Sequence, residues 1–241
     1  LTDQIRLMVF EPYEVSTEVT AAPAIDVDKI AADIIGDPVN ATVSKKDGKT
    51  IIAGKAGVSF DTDKAREIIG DGSQETYTIP VTITQPSITA ETLKAKLFHD
   101  TLARTATNLD EGNVPRTNNI RLAAKAINGT ILNPGDEFSY NGTVGERTAA
   151  RGYQEAHAYS GGKIIDEFGG GVCQPSSTLY MAVLRADLKV TERHNHSFTV
   201  SYTPLGEDAT VDYGNLDFRF VNNTAYPVKI LAEQKIGRAH V

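Results

Sequence analysis

Apolar positions fall into short periodic runs along the chain, and their period changes from run to run. Val15, Val19 and the alternation around Thr17 and Thr20 predict a strand. From Asp26 to Ile35 the period is helical: Ile30, Ile34 and Ile35 share one face, Asp26 can cap it, and Gly36-Asp37-Pro38 ends it. Ala41 to Val43, a Lys45–Gly48 turn and Thr50 to Ile52 read as a β-hairpin. Asp61 to Ile69 predicts a second helix, with Ala65, Ile68 and Ile69 inward and Gly70 as its stop. Thr76 to Thr84 alternates through Tyr77, Ile79, Val81 and Ile83, as a half-buried strand does. These elements predict a small α+β module over residues 1–90, with no cluster of reactive side chains.

Residues 91–235 carry a second pattern. Thr117 to Asn128 predicts a helix capped by Thr117, with Ile120, Ala123, Ala124 and Ile127 on its apolar face. Phe138 to Asn141 reads as a strand, and Tyr159 to Glu167 as a hairpin through Gly161-Gly162. Pro175 suits the first position of a further helix, with Leu179, Val183 and Leu184 as its apolar side. Strands are expected at Ser197–Tyr202, Ala209–Tyr213, Leu216–Val221 and Pro227–Ala232. The fold class expected is α+β: a small module followed by a domain in which a cysteine at a helix N-terminus packs on antiparallel strands. Residues 236–241 bear no relation to the preceding strand and read as an artefactual tail, so His240 is left out of the chemistry.

Composition narrows the function classes. With 40% hydrophobic and 23% charged residues the 241-residue chain is ordinary for a globular protein. A net charge of −7 argues against a nucleic-acid partner. One cysteine excludes an intrachain disulfide framework and a cysteine-rich zinc site, and no metal or cofactor is expected. No run of about 18 apolar residues predicts a membrane-spanning helix. The chain opens at Leu1 without a signal peptide, as if cut from a longer one.

That one cysteine, Cys173, follows Gly169-Gly170-Gly171 and precedes the expected helix. Backbone N–H groups and the positive dipole end favour an anion there, so the thiol pKa can be lowered. Gly170 and Gly171 leave room for a substrate backbone to approach. A buried structural cysteine beside a tight turn is the competing reading. A cysteine nucleophile needs a base and an orienter. His196, placed to open the Ser197–Tyr202 strand, is the preferred base. His99 is expected at the surface, His157 could line the cleft, and His194 lies in the loop before the strand as a binding residue. Asp208 is the first candidate orienter and Asp212 the second. Gln174 can offer its backbone N–H or its side chain to an oxyanion. Tyr180 could place its hydroxyl in the cleft or simply pack in the core.

Several motifs stand in a recognisable order: Asn128-Gly129, Pro134–Ser139, Val144–Thr148, Gly152-Tyr153, Gly169–Tyr180, Arg193, His196-Ser197 and Gly206–Val211. Together they resemble the VanW family over roughly Leu93 to Ala232. The first region is similar to a peptidoglycan-binding repeat, through Asp26–Asp28, the hairpin, Gly57–Asp61 and the strand into Gln85-Pro86. The resemblance implies a cell-envelope, extracellular protein, with an N-terminal membrane anchor upstream and peptidoglycan stem peptides as partners. It implies a peptidoglycan L,D-transpeptidase that forms 3–3 cross-links through a Cys173 acyl-enzyme, or a carboxypeptidase where water is the acceptor. Stems carry free carboxylates, and Arg193 and Arg147 are the expected readers. A wall-binding protein with a structural cysteine, and a cysteine endopeptidase or amidase acting on stems, remain the alternatives.

Overall fold

The computed structural model describes residues 4–8, 25–110, 112–160, 163–235 and 238–240. The expected strand at Val15–Val19 lies outside the described residues. Helices and several small antiparallel sheets are mixed along the chain, so the fold class is α+β. The chain divides into two compact units, residues 1–42 with 51–93 and residues 43–50 with 94–241.

The first unit holds helices α1 (Val27–Ile34) and α2 (Thr62–Ile69). Both start where a carboxylate can capture free N–H groups: Asp26 accepts from Lys29 N at 3.0 Å, and Asp61 from the amides of Asp63 and Lys64. Gly70 closes α2 at a φ of +56°, a conformation open to glycine at little cost. The long strand expected at Thr76–Thr84 is two pieces. Thr76–Pro80 pairs antiparallel with Gln4–Met8, and Thr82–Thr84 pairs with Gly57–Ser59. Val27, Ala65, Ile69, Tyr77 and Ile79 form the core of this unit.

The second unit follows α3 (Ala90–Lys96) and is organised by α4 (Val114–Ile127), α5 (Tyr140–Val144) and α6 (Cys173–Arg185). Helix α4 starts before Thr117 because Asn113 accepts from Arg116 N at 3.2 Å and Pro115 sits in the first turn. The Phe138–Asn141 strand is also shorter than expected. Only Glu137–Ser139 is strand, and Ser139 then caps α5 through Gly142 N. One antiparallel sheet orders Lys189–Glu192, Arg219–Val221 and Glu137–Ser139. Another orders Glu233–Lys235, Arg238–His240 and Ala106–Asn108. Residues 238–240 of the expected tail are therefore paired on both sides. Glu155–Ser160 and Lys163–Phe168 form a hairpin.

The core of this unit gathers Ile127, Phe138, Tyr140, Leu179, Val183, Phe218 and Phe220. Phe220 lies 5.0 Å from Phe138 and 5.7 Å from Phe218, centroid to centroid. Leu184, expected on the apolar side of α6, is exposed. The buried face instead carries Gln174, Ser176, Ser177 and Thr178. Two of these polar groups bond back along the helix: Ser177 Oγ donates to Cys173 O and Thr178 Oγ1 to Gln174 O.

Candidate functional site

Cys173 is the first residue of α6, with Val172 as a cap that offers no side-chain hydrogen bond. Pro175 falls two residues later than the first helical position expected for it. The chain itself fills the space left by the three glycines. A Cβ on Gly170 would stand 2.2 Å from Ala156 O, one on Gly169 2.6 Å from the stem of Arg147, and one on Gly171 2.6 Å from Arg116 Cγ. Gly170 and Gly171 thus admit neighbouring elements, not a ligand backbone. Asn119 of α4 completes the clamp. Its Nδ2 donates to Gly170 O at 3.1 Å and to Gln154 O at 2.8 Å, and its Oδ1 accepts from Gln154 N.

The residues expected as strand at Ser197–Tyr202 and Ala209–Tyr213 form loops with isolated bridges, Thr210 N donating to His194 O at 2.8 Å. These loops supply the groups around the thiol. Sγ lies 3.5 Å from Thr210 Oγ1 and from Val211 O, and accepts from Val211 N at 3.5 Å. His196 is fixed by Asp208 and not by a strand. Oδ2 of Asp208 accepts from His196 N at 2.7 Å and lies 2.7 Å from Nδ1. With Nδ1 so engaged, Nε2 is left for the thiol and for the Tyr202 hydroxyl, 3.4 Å away. The side chains of His196 and Asp208 are only 7% and 12% exposed, so solvent screens the pair little.

The electrostatics run in one direction. Burial pushes the Cys173 thiol up, but His196, Val211 N–H and the Thr210 hydroxyl outweigh it, and the net shift is down. Burial pushes His196 down, and the thiolate and Asp208 carry it above its ordinary value. Burial raises Asp208, while its bonds to His196 and the charge of Arg193 bring it below the usual carboxylate range. Together these shifts favour a thiolate–imidazolium pair oriented by a carboxylate.

Most of the other expected site residues take roles different from those expected. Arg193 meets the chain's own acid: Nη2 donates to Asp208 Oδ1 at 2.9 Å and Nε to Asp208 O at 2.7 Å. It therefore braces the orienter and is not placed to read a ligand carboxylate. Gln174, 1% exposed, cannot serve an oxyanion. Its Nε2 donates to Asn108 O and Thr107 Oγ1, its Oε1 accepts from Arg116, and its N–H donates to Gly171 O. Tyr180 packs edge-on to Phe218 and under Arg193, which is the core placement. His194 Nε2 lies 3.0 Å from Glu192 and contributes to the site only through its backbone carbonyl. Asp212 serves a turn, accepting from Asn215, and does not orient His196. His157 is exposed on the hairpin, 2.5 Å from Asp166, and His99 is exposed beside Asp100. Arg147 is the expected reader whose hydrogen-bond donors have no partner among the described residues. Tyr202, Thr210 and Val211 join the site without having been singled out in the sequence. Thr210 and Val211 stand inside the Gly206–Val211 motif, which carried the family resemblance but gave neither of them a role.

Comparison with known proteins adds the following. Residues 115–241 match the family model described as VanW like protein. The uncharacterized protein YoaR of Bacillus subtilis (strain 168) is 35% identical over 206 residues, covering 83% of this chain and 67% of its own length. The Vancomycin B-type resistance protein VanW of Enterococcus faecalis (strain ATCC 700802 / V583) is 32% identical over 111 residues, covering 44% of this chain and 40% of its own. No solved structure matches.

Proposed function

The chain belongs to the VanW-like protein family, and on that premise we propose that it is a cysteine acyltransferase acting on the stem peptides of peptidoglycan. Family membership supports a cell-wall protein related to glycopeptide resistance. The reaction itself is our reading, and one observation carries it: His196, held by Asp208, is turned on a thiol whose pKa is lowered. The full reading is an L,D-transpeptidase at the cell envelope, with the first unit as a wall-binding repeat.

The steps follow from the pair. Thiolate Sγ attacks the carbonyl carbon between the third and fourth stem residues, and a C–S bond forms. Collapse of the tetrahedral adduct breaks the C–N bond. The departing D-alanine amine takes the proton held on His196, leaving a thioester. An acceptor amine then attacks, His196 takes its proton, the new C–N bond forms, and the thiolate departs. Water in place of the amine gives a carboxypeptidase. Asp208 stabilises the imidazolium that is present before the first half-reaction and restored at the end of the second, and orients the neutral imidazole in the thioester between them.

The test is iodoacetamide labelling of Cys173 against pH, alongside D-alanine release from a tetrapeptide stem. The labelling midpoint is expected below that of a free thiol, and His196→Ala should slow release by roughly 10²–10⁴-fold. A midpoint at or above the free thiol's, with no D-alanine released, would leave a wall-binding protein with a structural cysteine.

A further inference from the structure

Arg147 stands between α5 and the short helical turn Ala149–Arg151. Its Nε, Nη1 and Nη2 are all buried, and none has a hydrogen-bond partner among the described residues. Its guanidinium lies over two rings, 5.7 Å from the centroid of Tyr140 and 5.8 Å from that of Tyr213. Ring faces attract the charge but accept none of the five N–H donors. Buried polar groups are nearly always satisfied, and a guanidinium cannot shed its proton to escape the cost.

The placement is built into the fold. The Arg147 stem occupies the space above Gly169, where a Cβ would collide with Cβ and Cγ at 2.6 Å. Tyr140 is fully buried, and its hydroxyl donates to Val172 O at 2.8 Å, the carbonyl next to Cys173. So one of the two rings is anchored at the residue before Cys173. The other ring, Tyr213, is 51% exposed and sits on the turn in which Asp212 N donates to Leu216 O. Of the two covers, Tyr213 is the one that can move. Burial and the charge of Asp212 raise Glu167 while Arg147 lowers it, yet Arg147 has no ion pair with a described carboxylate.

We propose that Arg147 is the receptor for the C-terminal carboxylate of a peptide ligand, and that the ligand displaces Tyr213 to reach it. The identity of that peptide rests on the stem-peptide reading above. There the carboxylate belongs to the departing residue, a single residue beyond the attacked carbonyl. Consecutive Cα atoms are about 3.8 Å apart, so the thiol and the carboxylate receptor must be near neighbours. One tyrosine, Tyr140, links the two: its ring meets the guanidinium and its hydroxyl the residue before Cys173.

Binding can be measured without the thiol. The full chain carrying Cys173→Ala is titrated by calorimetry with N-acetyl-L-lysyl-D-alanine and with its C-terminal amide. The acid should bind at least about tenfold tighter than the amide, at millimolar affinity or better. Arg147→Gln should abolish the difference, and Arg147→Lys, which lacks the two-pronged geometry, should retain part of it. Tyr213→Ala should tighten the acid several-fold, since no ring then has to move. Equal binding of acid and amide, or no binding of either at roughly 10 mM, overturns the proposal. If Arg147→Gln does not fold, the Lys and Tyr213 variants decide, and an unchanged ratio in both overturns it. A preserved acid–amide difference in a protein whose Cys173 is unreactive would sink the acyltransferase and leave the receptor standing.

Discussion

Asp208→Asn isolates the element on which the site turns. The carboxylate accepts three bonds: two at Oδ2 from His196, each at 2.7 Å, and one at Oδ1 from Arg193 at 2.9 Å. An amide has one acceptor oxygen. Turned toward His196, it presents its NH2 to Arg193. Turned toward Arg193, it presents donors to the His196 backbone N–H and to Nδ1. The imidazole can then relax only by becoming the Nε2–H tautomer, which cannot take a thiol proton. Bonds to charged groups are worth about 1.5–3 kcal/mol, so the net loss should be about 2–3 kcal/mol. For a unit of this size that lowers the melting temperature by roughly 4–12 °C. Labelling of Cys173 by iodoacetamide near neutral pH should slow, and D-alanine release should fall by roughly 10²–10⁴-fold. Acid supplies a second signature. Asp208 sits below the usual carboxylate range when folded, so its stabilisation is present above an unfolded value of about 3.9 and is lost as pH falls through the folded value. The melting gap between the two proteins should therefore close in acid. An Asp208→Asn variant that labels at the original rate, or a gap that persists unchanged in acid, would refute the reasoning.

Gly170→Ala should cost about 3 kcal/mol or more, because its Cβ meets the backbone of Ala156 and not a flexible side-chain end. Gly206→Ala, with open space but a φ of +80°, should cost only about 1–2 kcal/mol, and equal melting shifts for the two would contradict the packing argument. Gln174→Leu should lower stability by about 2–4 kcal/mol by leaving buried partners unpaired. Intact melting with slow turnover would restore Gln174 as an oxyanion donor.

Helix starts were legible where a carboxylate announced them, at Asp26 and Asp61. Asn113 was not, because Thr117 offers the same capping chemistry four residues on and instead donates to Asp110 O. Thr199, Val200 and Tyr202 have strand propensity, yet propensity forms a strand only where a ladder can be built, and among the described residues that segment is loop and turn. His196 was legible as a histidine within reach of the cysteine and Asp208 as its first candidate orienter; what was not legible is that the aspartate, and not a strand, fixes the ring. Charge alone could not separate Arg193 from Arg147. Both are arginines beside aromatic rings, and only the fold tells which has an internal carboxylate to hold. Gln174 looked available because its partners, Thr107, Asn108 and Arg116, lie more than fifty residues away in sequence.

The three glycines before Cys173 also bear on when the protein becomes reactive. Gly169 receives the 147 segment, Gly170 the first strand of the hairpin, and Gly171 helix α4. The thiol's partners, Thr210, Val211 and His196, arrive from further along the chain still. No local stretch can assemble that environment by itself, so a chain still on the ribosome or partly folded carries a cysteine of ordinary reactivity. Nucleophilicity then reports complete folding, and an alkylating probe applied during refolding would time-stamp the final docking step.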